Sequence, residues 1–251
     1  MIPKISVIMP IYGHEEYLHE AVQSILYQTF QDFELLAICD PGQPNLPLVI
    51  GILNWFRDKR IHVIIPGKHM TVAEAMNFAM PLVRGDYIAR MDSDDVSLPD
   101  RFEKQISFLG RHPEIGAVGG QIKYIDEGGE GLDREIRLPI SSFRIIAAFP
   151  RYNPIANSTT MIRDSVFQSV PSDPKFKVAE DYDYWIRVSF ETKIRNLPDI
   201  LVRYRIHKKN ASTDSAAWAN LVQKKHFGSG VLEKTVAWIL KYALKGEQNV
   251  R

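Results

Sequence analysis

Apolar residues in the first hundred positions follow two alternating patterns. Residues 5–9 form a β-branched apolar run that stops at Pro10, which predicts a buried strand. From residue 15 to residue 28 apolar side chains recur at helical spacing, which predicts an amphipathic helix. The alternation continues with predicted strands at 33–39, 61–65 and 87–91 and predicted helices at 48–56 and 71–83, the last opened by a capping box of Thr71 and Glu74. Strands that alternate with helices favour a parallel sheet with right-handed crossovers, so the sequence predicts an α/β fold.

The pattern is less regular after residue 99. We expect a helix up to residue 109, and the later predicted elements are strands at 117–124, 157–162 and 201–206 and helices at 181–190, 215–227 and 232–245. Residues 126–154 show no clear period and begin with a loop rich in glycine and glutamate. We expect this segment to be irregular and to face a substrate.

Composition and charge limit the classes of function. Of the 251 residues 45% are hydrophobic, enough for one α/β core in a single domain or in two tightly joined lobes. A net charge of +1, without a basic aromatic stripe, gives no electrostatic case for a nucleic-acid partner. The single cysteine, Cys39, excludes internal disulfides and suits a reducing compartment. No apolar run approaches the roughly 20 residues of a membrane span, so we expect a cytoplasmic protein or one peripheral to the inner face of the membrane.

Three carboxylates lie within four positions directly after the predicted strand at 87–91. Asp92, Asp94 and Asp95 would repel one another unless a divalent cation or a solvated turn offsets their charge. Proteins hold Mn²⁺ or Mg²⁺ through one or two such carboxylates, together with phosphate oxygens and water. The alternative is an acidic turn that caps the following helix, because Asp and Ser are favoured at such positions. The residues of the cluster alone leave both interpretations open.

Polar side chains also follow other predicted strands. Tyr12 follows the first strand, either as an ordinary strand end or as an aromatic surface for a nucleotide base. Asp40 follows the second strand, either as a turn residue or as an acceptor of hydrogen bonds from a base or a ribose. Glu180 and Asp181 open a predicted helix, whose dipole favours their charged forms, and they either cap it or supply a general base. Because ligands bind beyond the carboxyl ends of parallel strands, we expect Asp40 and residues 92–95 to share one site.

The order of these groups along the chain resembles that of the inverting nucleotide-sugar glycosyltransferases of family 2, which have the GT-A fold. The resemblance covers residues 4–210, and the block at 85–101 is its most specific part. The matching segments are Ile5-Ser6-Val7-Ile8-Met9-Pro10-Ile11-Tyr12, Gln28-Thr29-Phe30, Phe33-Glu34, Asp40, Ala75-Met76-Asn77, Gly85-Asp86-Tyr87-Ile88-Ala89-Arg90-Met91-Asp92-Ser93-Asp94-Asp95, Leu98-Pro99, Gly119-Gly120, Glu180-Asp181-Tyr182-Asp183 with Trp185, and Tyr204-Arg205-Ile206-His207. The implied fold is a Rossmann-like α/β sandwich with a mostly parallel central sheet. Residues 1–95 would form its nucleotide-sugar half, residues 96–210 its acceptor half, and residues 211–251 a C-terminal helical extension.

The resemblance also implies a role for each matching site residue. The sugar nucleotide would be bound by Pro10, Ile11, Tyr12, Asp40, Asn77, Asp92 and Ser93. A Mn²⁺ or Mg²⁺ ion that bridges the donor diphosphate would be held by Asp94, with Asp92 and His207 near it. Asp181 would be the base that deprotonates the acceptor hydroxyl, and Glu180 would lie beside it.

Two departures from the family pattern fall on the nucleotide side. Gly13 stands where the family usually has asparagine after the tyrosine. The usual Asp-Asp-Gly-Ser is Asp40-Pro41-Gly42-Gln43 here, so a second acid is absent. The identity of the nucleobase and of the sugar therefore stays open, while the residues that match the metal and catalytic positions are intact.

The implied function is metal-dependent, inverting transfer of one sugar from a nucleoside-diphosphate sugar, expected to be a UDP-sugar, to a hydroxyl group. The acceptor would be a glycan or a lipid-linked molecule in the assembly of a surface polysaccharide. The Gln-x-x-Arg-Trp motif of processive synthases is not present in the sequence, which favours single transfer. The alternative is a catalytically degenerate module that binds a sugar nucleotide. A sugar-nucleotide pyrophosphorylase is disfavoured, because residues 12–16 after the first strand are acidic rather than glycine-rich and basic.

The predicted helix at 232–245 is amphipathic and basic. Its apolar residues recur at helical spacing, and Lys234, Lys241 and Lys245 lie among them. Such a helix binds an anionic membrane surface, with Trp238 or Tyr242 at the headgroup level, or it packs on the catalytic core or on a second copy in a homodimer. The sequence leaves these alternatives open.

Overall fold

The structure, a computed structural model, describes residues 2–208 and 215–228. The strands are β1 (Ile5–Ile11), β2 (Phe33–Cys39), β3 (Ile61–Ile64), β4 (Tyr87–Arg90), β5 (Val96–Ser97), β6 (Ile115–Ile125), β7 (Gly131–Ile136), β8 (Met161–Arg163) and β9 (Lys193–Arg205). The helices are α1 (Glu15–Leu26), α2 (Leu46–Trp55), α3 (Val72–Ala79), α4 (Arg101–Arg111), α5 (Ser142–Ala148), α6 (Asp164–Ser169), α7 (Glu180–Glu191) and α8 (Ser215–Phe227). In this part of the chain the strands form one sheet in the order β3-β2-β1-β4-β8-β6-β9-β5, and β7 pairs with β6.

The first half of the sheet confirms the predicted alternation of parallel strands and helices. β1 pairs in parallel with β2 and with β4, and β2 pairs in parallel with β3. β1 is buried on both faces, since Val7 and Met9 belong to one core cluster and Ile8 to the other. Burial on both faces explains the continuous apolar runs of these strands. The carboxyl ends of β1, β2 and β4 therefore lie along one edge of the sheet.

Pro10 does not end the first strand as predicted, because β1 continues to Ile11. In a strand with a parallel neighbour on each side, the backbone groups of consecutive residues point alternately to one neighbour and to the other. The Ile8 carbonyl accepts a hydrogen bond from the N–H of Met91, so Ile8 points to the β4 side. Pro10 faces the same side as Ile8, at a point where β4 has already ended at Arg90. Its missing N–H therefore costs the sheet no hydrogen bond.

The second half of the sheet reverses direction at β8. This strand is antiparallel to both β4 and β6, and β9 is parallel to β6. β9 therefore runs in the same direction as β4, and its carboxyl end reaches the same edge of the sheet. The segment before β8 also reaches this edge, because an antiparallel strand begins where its neighbour ends. α7 leads into β9 through one residue, so the amino end of this helix lies at the same edge.

The structure differs from the sequence prediction between residues 126 and 163. The segment expected to be irregular contains β7 and α5, and the sheet as a whole is mixed because β8 adds antiparallel pairs to the parallel half. The strand predicted at 157–162 is a 3-10 turn, Asn157–Thr159, followed by the short β8. The hydroxyls of Thr159 and Thr160 donate to carbonyl oxygens three residues earlier. Such local bonds compete with strand pairing.

The helix predicted at 215–227 is confirmed as α8, with the same bounds. Its Val222 and Phe227 are buried in the core cluster that also contains residues of α7. The helix predicted at 232–245 lies outside the described residues, so its membrane contact and its part in a homodimer stay predictions. In residues 2–208 and 215–228, each helix is too short or too polar to cross a bilayer.

Candidate active site

The acidic cluster after β4 divides into one buried and two accessible carboxylates. Asp95 is buried, and it accepts hydrogen bonds from the N–H of Arg205 at 2.9 Å and from the hydroxyl of Ser158. The same hydroxyl lies 2.7 Å from Asp92 Oδ2. The side chain of Asp92 is 32% exposed and that of Asp94 19% exposed. Asp95 therefore supports the acidic loop, residues 92–95, while Asp92 and Asp94 remain accessible to a ligand.

β9 brings His207 to this loop. His207 Nε2 lies 2.9 Å from Asp94 Oδ2, and the imidazole is almost fully buried. Arg205 Nε donates to the Asp94 carbonyl oxygen at 2.9 Å, and its Nη1 donates to the carbonyl oxygens of Asp126 and Glu127, each at 3.1 Å. Arg205 thus holds the end of β9 against the acidic loop, which is why His207 and Asp94 meet.

The pair of Asp94 and His207 fits part of a divalent-cation site. Carboxylate oxygen suits both Mn²⁺ and Mg²⁺, whereas imidazole nitrogen suits a transition metal and not Mg²⁺. Burial and the neighbouring charge of Asp92 raise the pKa of Asp94 above its ordinary value. A bound cation would stabilise the charged form of this carboxylate. In the described ranges no three His, Cys, Asp or Glu residues are grouped as a complete metal site. The protein would therefore supply part of the ligand set, and phosphate oxygens of a donor and water would complete it.

Arg90, at the end of β4, joins the acidic loop to the amino end of α7. Its Nε lies 3.5 Å from Asp92 Oδ1, and its Nη2 lies 3.3 Å from Glu180 Oε1. With its amide oxygen turned towards this guanidinium, Asn157 accepts from Arg90 Nε at 2.7 Å. Although burial opposes the charge, Asp92 and Glu180 raise the pKa of Arg90 above its ordinary value. A single permanently charged guanidinium therefore bridges the two acidic segments.

Asp181 lies in the first turn of α7, beside Glu180. Its Oδ2 accepts a hydrogen bond from Asn153 Nδ2 at 3.0 Å, and its Oδ1 accepts one from the N–H of Tyr182 at 2.8 Å. Burial, together with the charge of Glu180, raises the pKa of Asp181 to about 7, although Arg90 acts in the opposite direction. A carboxylate with a pKa near 7 can take up a proton efficiently at neutral pH. This environment is compatible with the role of general base that the sequence predicts for Asp181, and that role stays a prediction.

Asp183, two residues further along α7, has the opposite environment. It is fully buried and accepts hydrogen bonds at 2.7 Å from Arg187 Nε, Lys225 Nζ and His226 Nε2. Burial alone would raise the pKa of Asp183, but these three donors hold it well below its usual range. Since Lys225 and His226 belong to α8, Asp183 joins α8 to the helix that carries Asp181.

Tyr12 and Asp40 lie at the ends of neighbouring strands on the predicted nucleotide side. The side chain of Tyr12 is exposed, and its ring centroid lies 5.3 Å from that of His69. The buried carboxylate of Asp40 accepts from the N–H of Gly42 at 2.7 Å, the N–H of Met70 at 2.8 Å and Nδ1 of His69 at 2.9 Å. Although burial opposes the charge, these three contacts lower the pKa of Asp40 below its ordinary value. Asp40 is therefore ionised, and its hydrogen bonds are made within the protein.

Other residues assigned to the nucleotide have contacts within the fold. Asn77 Nδ2 donates to the carbonyl oxygen of Ser172 at 2.9 Å, and its Oδ1 accepts from the N–H of the same residue at 2.7 Å. Ile11 is buried in β1, next to Pro10, and Ser93 is 7% exposed. A contact with a nucleotide stays a prediction for these residues.

Two residues of the matching segments serve the fold rather than the chemistry. Gln28, two residues after the end of α1, donates through Nε2 to the carbonyl oxygen of Leu98 at 2.8 Å, and its Oε1 accepts from the N–H of Phe102. Gly85 lies so close to β1 that a Cβ atom would meet the Ser6 nitrogen at 2.5 Å. Only glycine permits β4 to begin at this distance from β1.

The sequence assigned no role to Arg90, Asn153, Ser158 or His69. The sequence could have indicated a role for Arg90, because it is a charged residue in an otherwise apolar strand that leads into the acidic cluster. Asn153 and His69 lie in loops, and their local sequence does not distinguish them from ordinary turn residues. Ser158 lies in the 3-10 turn at 157–159, within a segment that the sequence predicted to be a strand. Ser158 meets the acidic cluster only because β8 is antiparallel to β4.

Known proteins share both sequence and fold with this chain. The family model described as glycosyl transferase family 2 matches residues 6–170. The O-antigen biosynthesis glycosyltransferase WbnJ of Escherichia coli is 33% identical over 224 residues, which cover 87% of this chain and 85% of WbnJ.

Two solved structures resemble the fold at low sequence identity. S. aureus TarS 1-349 in complex with UDP-GlcNAc has a TM-score of 0.71 at 18% identity, over 96% of this chain and 73% of that one. The mannosyltransferase PcManGT from Pyrobaculum calidifontis, in complex with GDP-Man and Mn²⁺, has a TM-score of 0.70 at 14% identity, over 97% of this chain and 73% of that one. This chain covers 43% of a longer TarS chain.

Proposed function

The chain belongs to glycosyl transferase family 2 and is a glycosyltransferase with the GT-A fold, and we propose that it is a metal-dependent inverting enzyme. In this proposal it moves one sugar from a nucleoside-diphosphate sugar to an acceptor hydroxyl. The donor side consists of Asp92 and Asp94 with the strand ends at residues 12 and 40. The acceptor side is the amino end of α7, which carries Asp181.

The observation that carries the proposal is the bridge that Arg90 makes between these two sides. Arg90 contacts Asp92 at 3.5 Å and Glu180 at 3.3 Å. One guanidinium group therefore bridges Asp92 and Glu180, and Asp181 is the residue next to Glu180 at the amino end of α7. An inverting displacement needs a leaving group on one side of the reacting carbon and a base on the other, and a sugar placed between these two acidic segments has both.

Asp181 supplies the base in this mechanism. A sugar hydroxyl is a poor nucleophile, so it must lose its proton to a positioned group as it attacks. Asn153 and the N–H of Tyr182 each donate to one carboxylate oxygen of Asp181 and fix its orientation. The pKa of about 7 lets the carboxylate accept the proton at neutral pH and hold it afterwards. One base and one leaving group give a single displacement, without a covalent intermediate.

The acidic loop has the chemistry to hold the leaving group. A Mn²⁺ ion held by Asp94 with Asp92 and His207, or a Mg²⁺ ion held by the two carboxylates, would stabilise the negative charge of the departing diphosphate as a Lewis acid. Arg205 keeps Asp94 and His207 together, and the buried Asp95 anchors the loop through the N–H of Arg205. These contacts fix the ligand atoms before a donor binds, which lowers the cost of organising the site.

The substrates in this proposal are a UDP-sugar donor and a glycan or lipid-linked acceptor in surface polysaccharide assembly. WbnJ, which has a third of its aligned residues in common with this chain, is named for O-antigen biosynthesis. The TarS structure contains UDP-GlcNAc, and the PcManGT structure contains GDP-Man and Mn²⁺. These relatives support a nucleotide-sugar donor and a glycan setting.

The test is a thermal-shift screen of nucleoside diphosphates and their sugars, with and without MnCl₂, followed by assays of donor hydrolysis and transfer. A ligand of the native state raises the melting temperature by mass action. We expect one sugar nucleotide to give the largest rise, and MnCl₂ to increase it. Binding without turnover of any donor would favour the degenerate binding module, and the absence of any nucleotide effect would contradict the proposed donor class.

A further inference from the structure

Two segments meet at the carboxylate of Asp181, and each supplies one of its hydrogen-bond donors. Asn153 Nδ2 donates to Oδ2 at 3.0 Å, from the loop that follows α5. The N–H of Tyr182, in α7, donates to Oδ1 at 2.8 Å. Asn153 Oδ1 accepts from the N–H of Ile155 at 3.2 Å, so the amide nitrogen must be the atom that faces Asp181. The orientation of the carboxylate therefore depends on how this loop is placed against α7.

Gln223 of α8 lies where the loop meets α7. Its Nε2 donates to the carbonyl oxygen of Arg151 at 3.0 Å and to the hydroxyl oxygen of Tyr182 at 3.4 Å. That hydroxyl gives its own hydrogen to the carbonyl oxygen of Phe149, so towards Gln223 it acts as an acceptor. One amide group therefore contacts both segments that hold the carboxylate, at Arg151 in the loop and at Tyr182 in the helix.

α8 is anchored on α7 and on the segment that leads into it. Lys225 Nζ lies 2.7 Å from the buried carboxylate of Asp183 in α7 and 3.0 Å from Asp173 Oδ2 in the preceding segment. Ala179, which ends that segment, has a φ of 59°, in the left-handed region. A residue with a side chain keeps this conformation only where its surroundings hold it. The same helix that carries Gln223 therefore also fixes the approach to the amino end of α7.

We propose that Gln223 is a positioning residue of the transfer reaction, which holds the loop at 149–153 against α7 and so keeps Asn153 on the carboxylate of Asp181. The proposal rests on the proposed function, since it takes Asp181 to be the base. A base works only when it lies within hydrogen-bond reach of the proton that it removes, and small displacements lower its effect steeply. α8 lies outside residues 6–170, which match the family model, so a part of the chain beyond that match supplies this support.

The first experiment compares two substitutions in α8. Gln223→Met removes the donor but keeps the length of the side chain and its tendency to form a helix. Lys224→Met is the matched control, because it makes a similar change at the next position, where the side chain is exposed. Both are made in the full chain, and turnover is measured as the release of UDP from UDP-glucose and UDP-GlcNAc and of GDP from GDP-mannose, with MnCl₂.

Water is the acceptor in this assay. The base takes a proton from water as the water oxygen bonds to the anomeric carbon and the bond from that carbon to the diphosphate breaks. We expect kcat to fall by about tenfold in Gln223→Met, the upper range of one neutral hydrogen bond. KM for the donor should stay the same, because the contacts of Gln223 are with the segments around Asp181. Lys224→Met should change neither constant.

A double-mutant cycle tests whether Gln223 acts through Asn153. Asn153→Ala removes the donor to the carboxylate and should also lower kcat by about tenfold. If Gln223 works by placing Asn153, Gln223→Met should lower kcat by only about twofold or less in the Asn153→Ala background. A double variant whose loss equals the product of the two single losses would show that the residues act independently, and the proposal would be wrong.

Hydrogen exchange gives a measurement that needs no substrate. In Gln223→Met the amides of residues 149–155 should exchange about tenfold faster, since one hydrogen bond to this loop is lost. The amides of β1 and β4 should keep their protection, which shows that the variant is folded. Lys224→Met should leave both regions unchanged.

The outcomes separate this inference from the proposed function. Unchanged exchange at 149–155 in Gln223→Met, or an unchanged kcat, overturns the role of Gln223 and leaves the proposed function intact. A fall in kcat with an equal rise in the donor KM overturns it as well, because it indicates a general loosening of the fold. If the wild-type chain releases no nucleotide from any of the three donors, or if Asp181→Asn releases it at the normal rate, the proposed function fails and the role of Gln223 fails with it.

Discussion

Replacement of Asp181 by asparagine should lower activity and raise stability at the same time. Asparagine keeps the size of the side chain and one carbonyl oxygen, but it cannot take a proton from an acceptor hydroxyl. We expect kcat to fall by at least about a hundredfold, the low end of the effect of a positioned general base. The affinity for the nucleotide should stay the same, because the contacts of Asp181 are with Asn153 and Tyr182.

The gain in stability follows from the pKa of Asp181. The pKa rises from 3.8 to about 7, and each unit corresponds to about 1.4 kcal/mol. Well above pH 7 the charged carboxylate therefore costs the folded chain about 4 kcal/mol. The neutral amide removes this cost but loses one hydrogen bond, since its nitrogen must face a donor, at a cost of about 1 kcal/mol. We expect the free energy of unfolding to rise by about 3 kcal/mol at pH 8, or about 6–12 °C in Tm.

The pH dependence has a definite sign. Between 3.8 and about 7 the folded wild-type chain binds more protons at Asp181 than the unfolded chain does. Its free energy of unfolding therefore falls as the pH rises through this window, and the contribution is fully present only below it. The charged carboxylate lowers the stability of the wild-type protein as the pH rises through this window and above it, and the asparagine variant lacks this cost. The two proteins should therefore differ little at pH 4 and most at pH 8. For the same reason wild-type kcat/KM should rise with pH and level off above about 7.

Thermal melts and transfer assays between pH 4 and pH 8 measure both effects. Asp183→Asn is the matched control, because it makes the same change in the same helix at a carboxylate that three donors keep charged. That variant should lose stability at neutral pH, since it breaks a buried charge network. Near-normal turnover of Asp181→Asn, or a loss of its stability similar to that of Asp183→Asn, would refute the reasoning.

Three further predictions concern the metal, the fold and the C-terminal helix. Asp94→Ala should remove the Mn²⁺-dependent part of nucleoside diphosphate affinity, and calorimetry that finds it undiminished would exclude Asp94 as the metal ligand. Gly85→Ala should cost about 3 kcal/mol in urea unfolding, because its Cβ would lie 2.5 Å from the Ser6 nitrogen. Gly110→Ala in α4, whose Cβ would meet nothing within 4 Å, should instead gain roughly 0.5–1 kcal/mol. The membrane hypothesis predicts that the wild-type chain sediments with anionic vesicles at low salt and that a chain ending at Gly230 does not; equal sedimentation would contradict it.

Local sequence patterns predicted the first half of the fold closely. β2 has the predicted bounds, and α3 begins at the predicted capping box of Thr71 and Glu74. These elements are specified by short-range features: a run of mostly apolar residues, a helical period and a cap. α8 (Ser215–Phe227) also has the predicted bounds. None of these features requires knowledge of a distant partner.

The second half was harder to predict because its elements depend on pairing between distant segments. β9 is 13 residues long, but only its last part, from Leu201, carried a strand pattern. The first part of the strand is held by pairing with β6, where Ile115 meets Lys193. β7 was missed for a similar reason, since it is a polar edge strand that is ordered by its neighbour. Tertiary contacts of this kind override local propensity.

The sequence by itself determined the chemistry available to the protein: a parallel α/β half, an acidic cluster after the fourth strand and an acidic helix start, in the order typical of family 2. Only the tertiary structure decided how these groups act. It brought His207 to Asp94 and used Arg90 to join the loop to Glu180, because β8 reverses the sheet and β9 returns to the same edge. It also set the pKa of Asp181, since burial and neighbouring charge arise from the packing of segments far apart in the chain, which no local pattern encodes.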